Sequence, residues 1–273
     1  MDWGAFLSDY LAPILGFVGF IQLWALKAWD RFIAKPRLEL HPSARIEFGF
    51  GGFGATLAFV GTLRAKNKPV FVKEMRAIVI RQSDGKVLDL SWRAFRANQV
   101  TIDPQHQQTT GLEVASSFMV RPESPHKYNV FLAGNDFQEA LQPEVRPLQE
   151  KWKAFTDRQL EGVADNPGAQ LLGFAQNPLV REKLFDQFRA LGRDKEFVGR
   201  VNEFFYWKPG GYAVELIIQA NASPEKISKL WWVEISEDES RFLRENSALV
   251  ARELCNFTTT YNYVYKPYRI KPR

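Results

Sequence analysis

The chain has 273 residues, of which 45% are hydrophobic, 14% aromatic and 25% charged, with a formal net charge of +5. That composition excludes a disordered or low-complexity chain, and one cysteine, Cys255, excludes a scaffold built on internal disulfides. Three scattered histidines, His41, His106 and His126, offer no transition-metal ligand spacing.

The first 29 residues read as one helix. From Tyr10 to Leu26 the run YLAPILGFVGFIQLWAL holds a single strongly polar side chain, Gln22. Extended to Ala5 and Trp29, it predicts roughly 25 helical residues, about 37 Å, enough to cross a ~30 Å hydrocarbon core. A cleaved signal peptide would need a basic start and a small-residue cleavage site. Asp2 and Asp9 at the start and Lys27-Ala28-Trp29-Asp30-Arg31 after the run supply neither. The basic far flank (Lys27, Arg31, Lys35, Arg37) orients such an anchor with its N-terminus outside. The expected location is therefore the inner or plasma membrane, single-pass, with a cytoplasmic body, and the unpaired Cys255 suits a reducing compartment. Ala12, Gly16 and Gly19 form a small-residue face suited to helix packing, to which Gln22 would add an interhelical hydrogen bond. Residues 1–35 are read as anchor and juxtamembrane linker, and 36–273 as the body.

The body opens β-rich. Leu88, Leu90 and Trp92 alternate with Val87, Asp89 and Ser91, as do the residues of 112–120 and 128–132, the period of strands with one buried face. VFVKEMRAIVI (70–80) is rich in β-branched residues and is followed by Ser83-Asp84-Gly85, a hairpin signal. Residues 136–200 then turn helical. Leu148, Trp152, Phe155 and Leu160 recur at helical spacing after Pro147, and Asn177-Pro178 reads as an N-cap followed by proline at the first helical position. Val180, Leu184, Phe188 and Leu191 make the expected buried stripe, closed by Gly192, and a third helix is expected around Asp194–Phe204. Strand patterns return at Phe204–Trp207, Tyr212–Ala220 and 230–235. A capping box, Ser236-x-x-Glu239, opens a last amphipathic helix, and Tyr261, Tyr263 and Tyr265 share one face of a closing strand. The expected fold class is a single N-terminal transmembrane helix plus an α+β cytosolic body. That body is mainly an antiparallel β-sandwich of the Ig-like class with a helical insertion at about 136–200.

Gly49-Phe50-Gly51-Gly52-Phe53-Gly54 is a literal G-x-G-x-x-G, with Glu74 about twenty residues beyond. A dinucleotide site needs a helix after those glycines, and Ala55–Leu63 reads as a strand. The same stretch resembles the glycine-rich loop of protein kinases, with Val70-Phe71-Val72-Lys73 similar to their lysine strand. That resemblance implies Gly49, Gly51 and Gly54 over ATP phosphates and Lys73 touching them. It covers residues 49–73 only: no H-R-D-x-x-x-x-N follows, and Asp136-Phe137 is succeeded by Gln138 rather than glycine. The glycine loop with Lys73 is therefore read as a chance match, and neither an enzyme nor a cofactor is expected. Cys255, between apolar neighbours, reads as a buried residue rather than a nucleophile.

The tail NFTTTYNYVYKPYRIKPR carries Lys266, Arg269, Lys271 and Arg273 and no acid. With Tyr268 these residues are the set that would touch an anionic lipid surface or stack on single-stranded nucleic acid. A basic tail alone is weak support for nucleic acid, which is not an expected partner. The functional expectation is a membrane-tethered binding module holding a protein partner or a homo-oligomer. The alternative is a ligand-triggered membrane effector of a bacterial defence or stress system, acting through oligomerised transmembrane helices.

Overall fold

The structure is a computed structural model, and it describes residues 12–28, 34–102, 108–164 and 177–267. After helix α1 (Ala12–Ala28), seven strands follow: β1 (Arg37–Gly51), β2 (Gly54–Lys66), β3 (Val70–Arg81), β4 (Val87–Ile102), β5 (Gln108–Val114), β6 (Phe118–Val120) and β7 (His126–Ala133). Among the described residues the sheet is interrupted by the helices α2 (Asp136–Ala164), α3 (Pro178–Ala190) and α4 (Lys195–Glu203). The chain then adds β8 (Gly210–Ala220), β9 (Lys226–Ile235), α5 (Glu237–Arg244), α6 (Asn246–Leu254) and β10 (Tyr263–Pro267).

All the described ladders are antiparallel and belong to one sheet in the order β10-β1-β2-β7-β4-β3-β8-β9, with β5 on β4 and β6 on β3. The sheet curls until its two ends nearly meet, and Lys229 Nζ of β9 donates across the seam to Leu40 O of β1 at 2.9 Å. Strand β4 produces much of the curl. Its first half pairs with β3 (Ile80↔Val87 to Arg76↔Ser91), and from Ser91 onward it pairs with β7. A bulge between Trp92 and Ala94 re-aims it at that point.

The alternating residues fill the interior. Ile46, Phe48 and Phe50 of β1, Leu57, Phe59 and Leu63 of β2, and Tyr212, Val214, Leu216 and Ile218 of β8 are buried in one continuous cluster. Each such side chain contributes about 1.5–3 kcal/mol by leaving water. The helices close one end of the barrel. Trp207, fully buried, donates from Nε1 to Gly49 O at 2.6 Å and meets the Phe48 ring edge-on at 4.9 Å. Beneath the helices Trp152 packs on Phe188 at 5.3 Å, and Phe185 on Phe257 at 4.9 Å, continuous with the barrel core.

Several expectations are corrected here. The transmembrane anchor is the first: α1 spans 17 residues, about 25 Å, and no described helix is long and apolar enough to cross a membrane. The expected length rested on adding residues 5–11 and Trp29, which lie outside the described residues. A single-pass inner-membrane location is accordingly not supported. The Ig-like β-sandwich is the second correction. A barrel and a sandwich share the same in–out alternation, so periodicity alone does not separate two stacked sheets from one rolled sheet.

Smaller differences have local causes. Residues 204–207 are not a strand, because Tyr206 and Trp207 turn inward to plug the barrel. The run 112–120 breaks into β5 and β6 around 115–117. Helix α2 begins at Asp136 and continues through Pro143 and Pro147, its first turns anchored by buried Phe137 and Leu141. The stripe of α3 is Phe185 and Phe188, while Leu191 is 63% exposed.

Candidate interaction surface

Outward-pointing residues of an antiparallel barrel face water and are usually polar. On the side formed by β4, β3, β8 and β9 they are not. One cross-strand row runs Val87, Ile80, Ala213, Trp232, and the next runs Asp89, Ile78, Glu215, Leu230. A third runs Ser91, Arg76, Ile217, Ser228. These positions alternate with the core residues Val79, Val214, Leu216, Trp231 and Val233 and do not join the core cluster, although Ala213 and Ile217 are themselves buried, at 7% and 1% exposure. Val87 is 58% exposed, Leu230 49% and Ile80 41%, with Ile78 and Trp232 half-buried beside them. With strands about 4.8 Å apart, the strip is roughly 15 Å wide across four strands. Its charges are sparse. Arg76 and Asp89 pair at 3.3 Å, whereas half-buried Glu215, flanked by Ile78 and Leu230, has no ion-pair or hydrogen-bond partner among the described residues.

The opposite side of the barrel, formed by β10, β1, β2, β7 and β4, provides its own cover. Its floor is small: Gly49, Thr56, Ala58, Ala94 and Ala133. Tyr263 lies over Gly49 so closely that a Cβ there would stand 2.8 Å from the ring. The Arg96 guanidinium sits 5.2 Å from the ring centroids of both Tyr263 and Phe131 and donates from Nη1 to Glu47 at 2.6 Å. That side chain shields the floor and neutralises the nearly buried Glu47.

Gly49–Gly54 is a tight β-hairpin with Gly51 opposite Gly54, and β2 follows it directly, so no helix N-terminus is available to receive a phosphate. Lys73 lies in the part of β3 near β6, exposed, at the barrel end opposite that hairpin, and Glu74 beside it is also exposed. Gln22 is exposed on α1, which also carries Ala12, Gly16 and Gly19. Lys266 is in β10 with its ammonium 2.8 Å from both carboxylate oxygens of Glu239, so its charge is committed within the fold. Tyr268, Arg269, Lys271 and Arg273 lie outside the described residues.

Groups with chemical potential are used structurally. Cys255 is fully buried, and burial, reinforced by the Asp194 carboxylate, pushes its thiol up to about 12. His126 stacks against Phe118, with centroids 4.4 Å apart, and burial pushes its imidazole below its ordinary value. Buried Arg81 forks onto Asp84 (2.9 and 2.6 Å) and reaches Tyr206 O at 2.7 Å, locking the β3–β4 turn against the barrel plug. No group of three or more His, Cys, Asp or Glu that could hold a metal ion occurs among the described residues. A wide groove of about 790 Å³ along α4, lined by Glu144, Lys195, Glu196, Arg200 and Glu203, is open and of mixed charge, unlike the enclosed apolar pockets that hold small ligands.

Sequence reasoning missed the strip, although it left a signal. The runs Ala77-Ile78-Val79-Ile80 and Leu230-Trp231-Trp232-Val233 are apolar on both faces, which a strand with one wet face does not need. No family model, no curated protein and no solved structure matches this chain significantly.

Proposed function

We propose that the barrel is a protein-interaction module that engages a protein partner through the outer face of β4, β3, β8 and β9. The observation that carries this reading is the apolar strip itself: Val87 of β4, Ile80 of β3 and Leu230 of β9 are exposed on the same side of the barrel, with half-buried Ile78 beside them. Apolar side chains scattered singly over a surface are ordinary, but a contiguous band rimmed by polar groups is characteristic of interaction sites. A barrel is a suitable platform, since its closed hydrogen bonding holds the outward side chains in fixed positions before the partner arrives. The opposite face adds contrast, because there the same molecule covers its small-residue floor with Tyr263 and Arg96.

The test is a pair of surface substitutions, Ile80→Ser and Leu230→Ser, in the full chain. Both side chains are substantially exposed, so the melting temperature should stay within a few degrees of the parent. Co-purification of the native partner from the source cells should fall at least tenfold in the double variant. Undiminished co-purification with unchanged folding would refute the reading.

A further inference from the structure

We infer that the partner presents a lysine or arginine from within an apolar helical face, and that Glu215 is the group that receives it. This rests on the reading of the strip as an interaction surface and goes further by assigning the partner's chemistry. Glu215 stands in the middle row, with Ile78 opposite it on β3 and Leu230 opposite it on β9. The nearest cation on the face, Arg76, is diagonal to it and is already paired with Asp89. In the free protein the half-buried carboxylate keeps access to bulk water. Any partner that covers the strip removes that water, and a buried carboxylate without a counter-charge is strongly disfavoured. A cation at that point turns the penalty into a charge-assisted hydrogen bond and sets the register of docking.

The same charge argues against other occupants. A second copy meeting this strip face to face about a two-fold axis would bring Glu215 towards its own symmetry mate, leaving two carboxylates to share one dry site. The chain's own α1 exposes Phe20, Ile21, Leu23 and Trp24, but its one cation, Lys27, lies in the last turn rather than mid-stripe. The geometry favours a helix over an added strand. A cylinder of about 10 Å laid across the strands covers the strip, whereas strand addition would use the edge of β9 and leave Glu215 untouched.

The experiment uses the full-length protein and two synthetic 15-residue amphipathic peptides. Both carry a leucine stripe, with either arginine or glutamine at the central stripe position, and binding is followed by calorimetry. The arginine peptide should bind at least tenfold more tightly than the glutamine peptide, and Glu215→Gln should abolish that preference while leaving the melting temperature unchanged. Leu230→Ser should weaken both peptides alike. If Leu230→Ser weakens both but the arginine preference is absent, or survives in Glu215→Gln, the charge assignment fails while the strip stands. If Leu230→Ser changes neither affinity, or the arginine peptide does not bind, the strip reading fails with it. A concentration-dependent dimer that is strengthened by Glu215→Gln would instead identify a second copy as the occupant and overturn the inference.

Discussion

Cys255 closes α6 with no exposed surface, and its thiol is held neutral by burial. Because the thiolate is the reactive form, the folded protein should not react with a thiol reagent such as DTNB at pH 8, whereas in guanidinium one equivalent should react at once. Rapid labelling of the native protein would contradict this. Gly49 tests close packing in the same way. A Cβ at that position would stand 2.5 Å from Thr56 Oγ1 and 2.8 Å from the Tyr263 ring, so Gly49→Ala should cost about 1–3 kcal/mol in denaturant unfolding. The glycines of 49–54 were legible as a connection between strands, which the Gly51–Gly54 hairpin is, but what presses on them was not. The literal phosphate-loop motif is a chance match, and the close neighbours of Gly49 and Gly51 are Tyr263 and Tyr261, more than two hundred positions away.

Elements were legible where local chemistry decides them. The Asp84-Gly85 turn forms with Gly85 at φ 68°, and Ser236 and Glu239 make the reciprocal capping box that opens α5. The extent of α2 was less legible, since its first turns are held by the burial of its own Phe137 and Leu141 in the shared core. Links between elements lie beyond sequence reading altogether. Fully buried Asn246 donates from Nδ2 to Phe50 O (2.7 Å) and Asn262 O (2.8 Å) and accepts from Asn262 N (2.8 Å), tying α6 to β1 and to the approach to β10. Asn246→Ala leaves those backbone groups unsatisfied and should cost about 2–4 kcal/mol, read as a shift of the urea midpoint with little change in slope. The plug beneath the barrel supplies a pH test. Burial raises the phenols of Tyr206 and Tyr212 to about 12, above their ordinary value of 10.0. A group whose pKa is higher in the folded state contributes stability that is complete below the unfolded value and lost as pH rises through the folded one. Unfolding free energy should therefore decline between about pH 10 and 12, and Tyr206→Phe should make that decline shallower.

For the whole molecule, alternation announced strands but not their closure. Antiparallel β-rich character was evident from residues 70–132, whereas the single rolled sheet depends on β4 changing neighbours at Ser91, which no local pattern encodes. The membrane span was inferred from hydropathy summed over a window longer than the described helix Ala12–Ala28. The outer strip is the largest departure from the in–out rule that otherwise organises the barrel. It unites Val87, Ile80, Leu230 and Trp232 from strands as much as 145 residues apart, Trp232 being residue 232 and Val87 residue 87. The most direct measurement is site-specific photo-crosslinking in the native cell, with a photoreactive phenylalanine analogue placed in turn at Val87, Leu230 and, as a comparably exposed control, Leu179 on α3. The interaction account predicts one discrete protein adduct of the same mass from Val87 and Leu230 and none from Leu179. Equal or absent adducts at all three positions would contradict it.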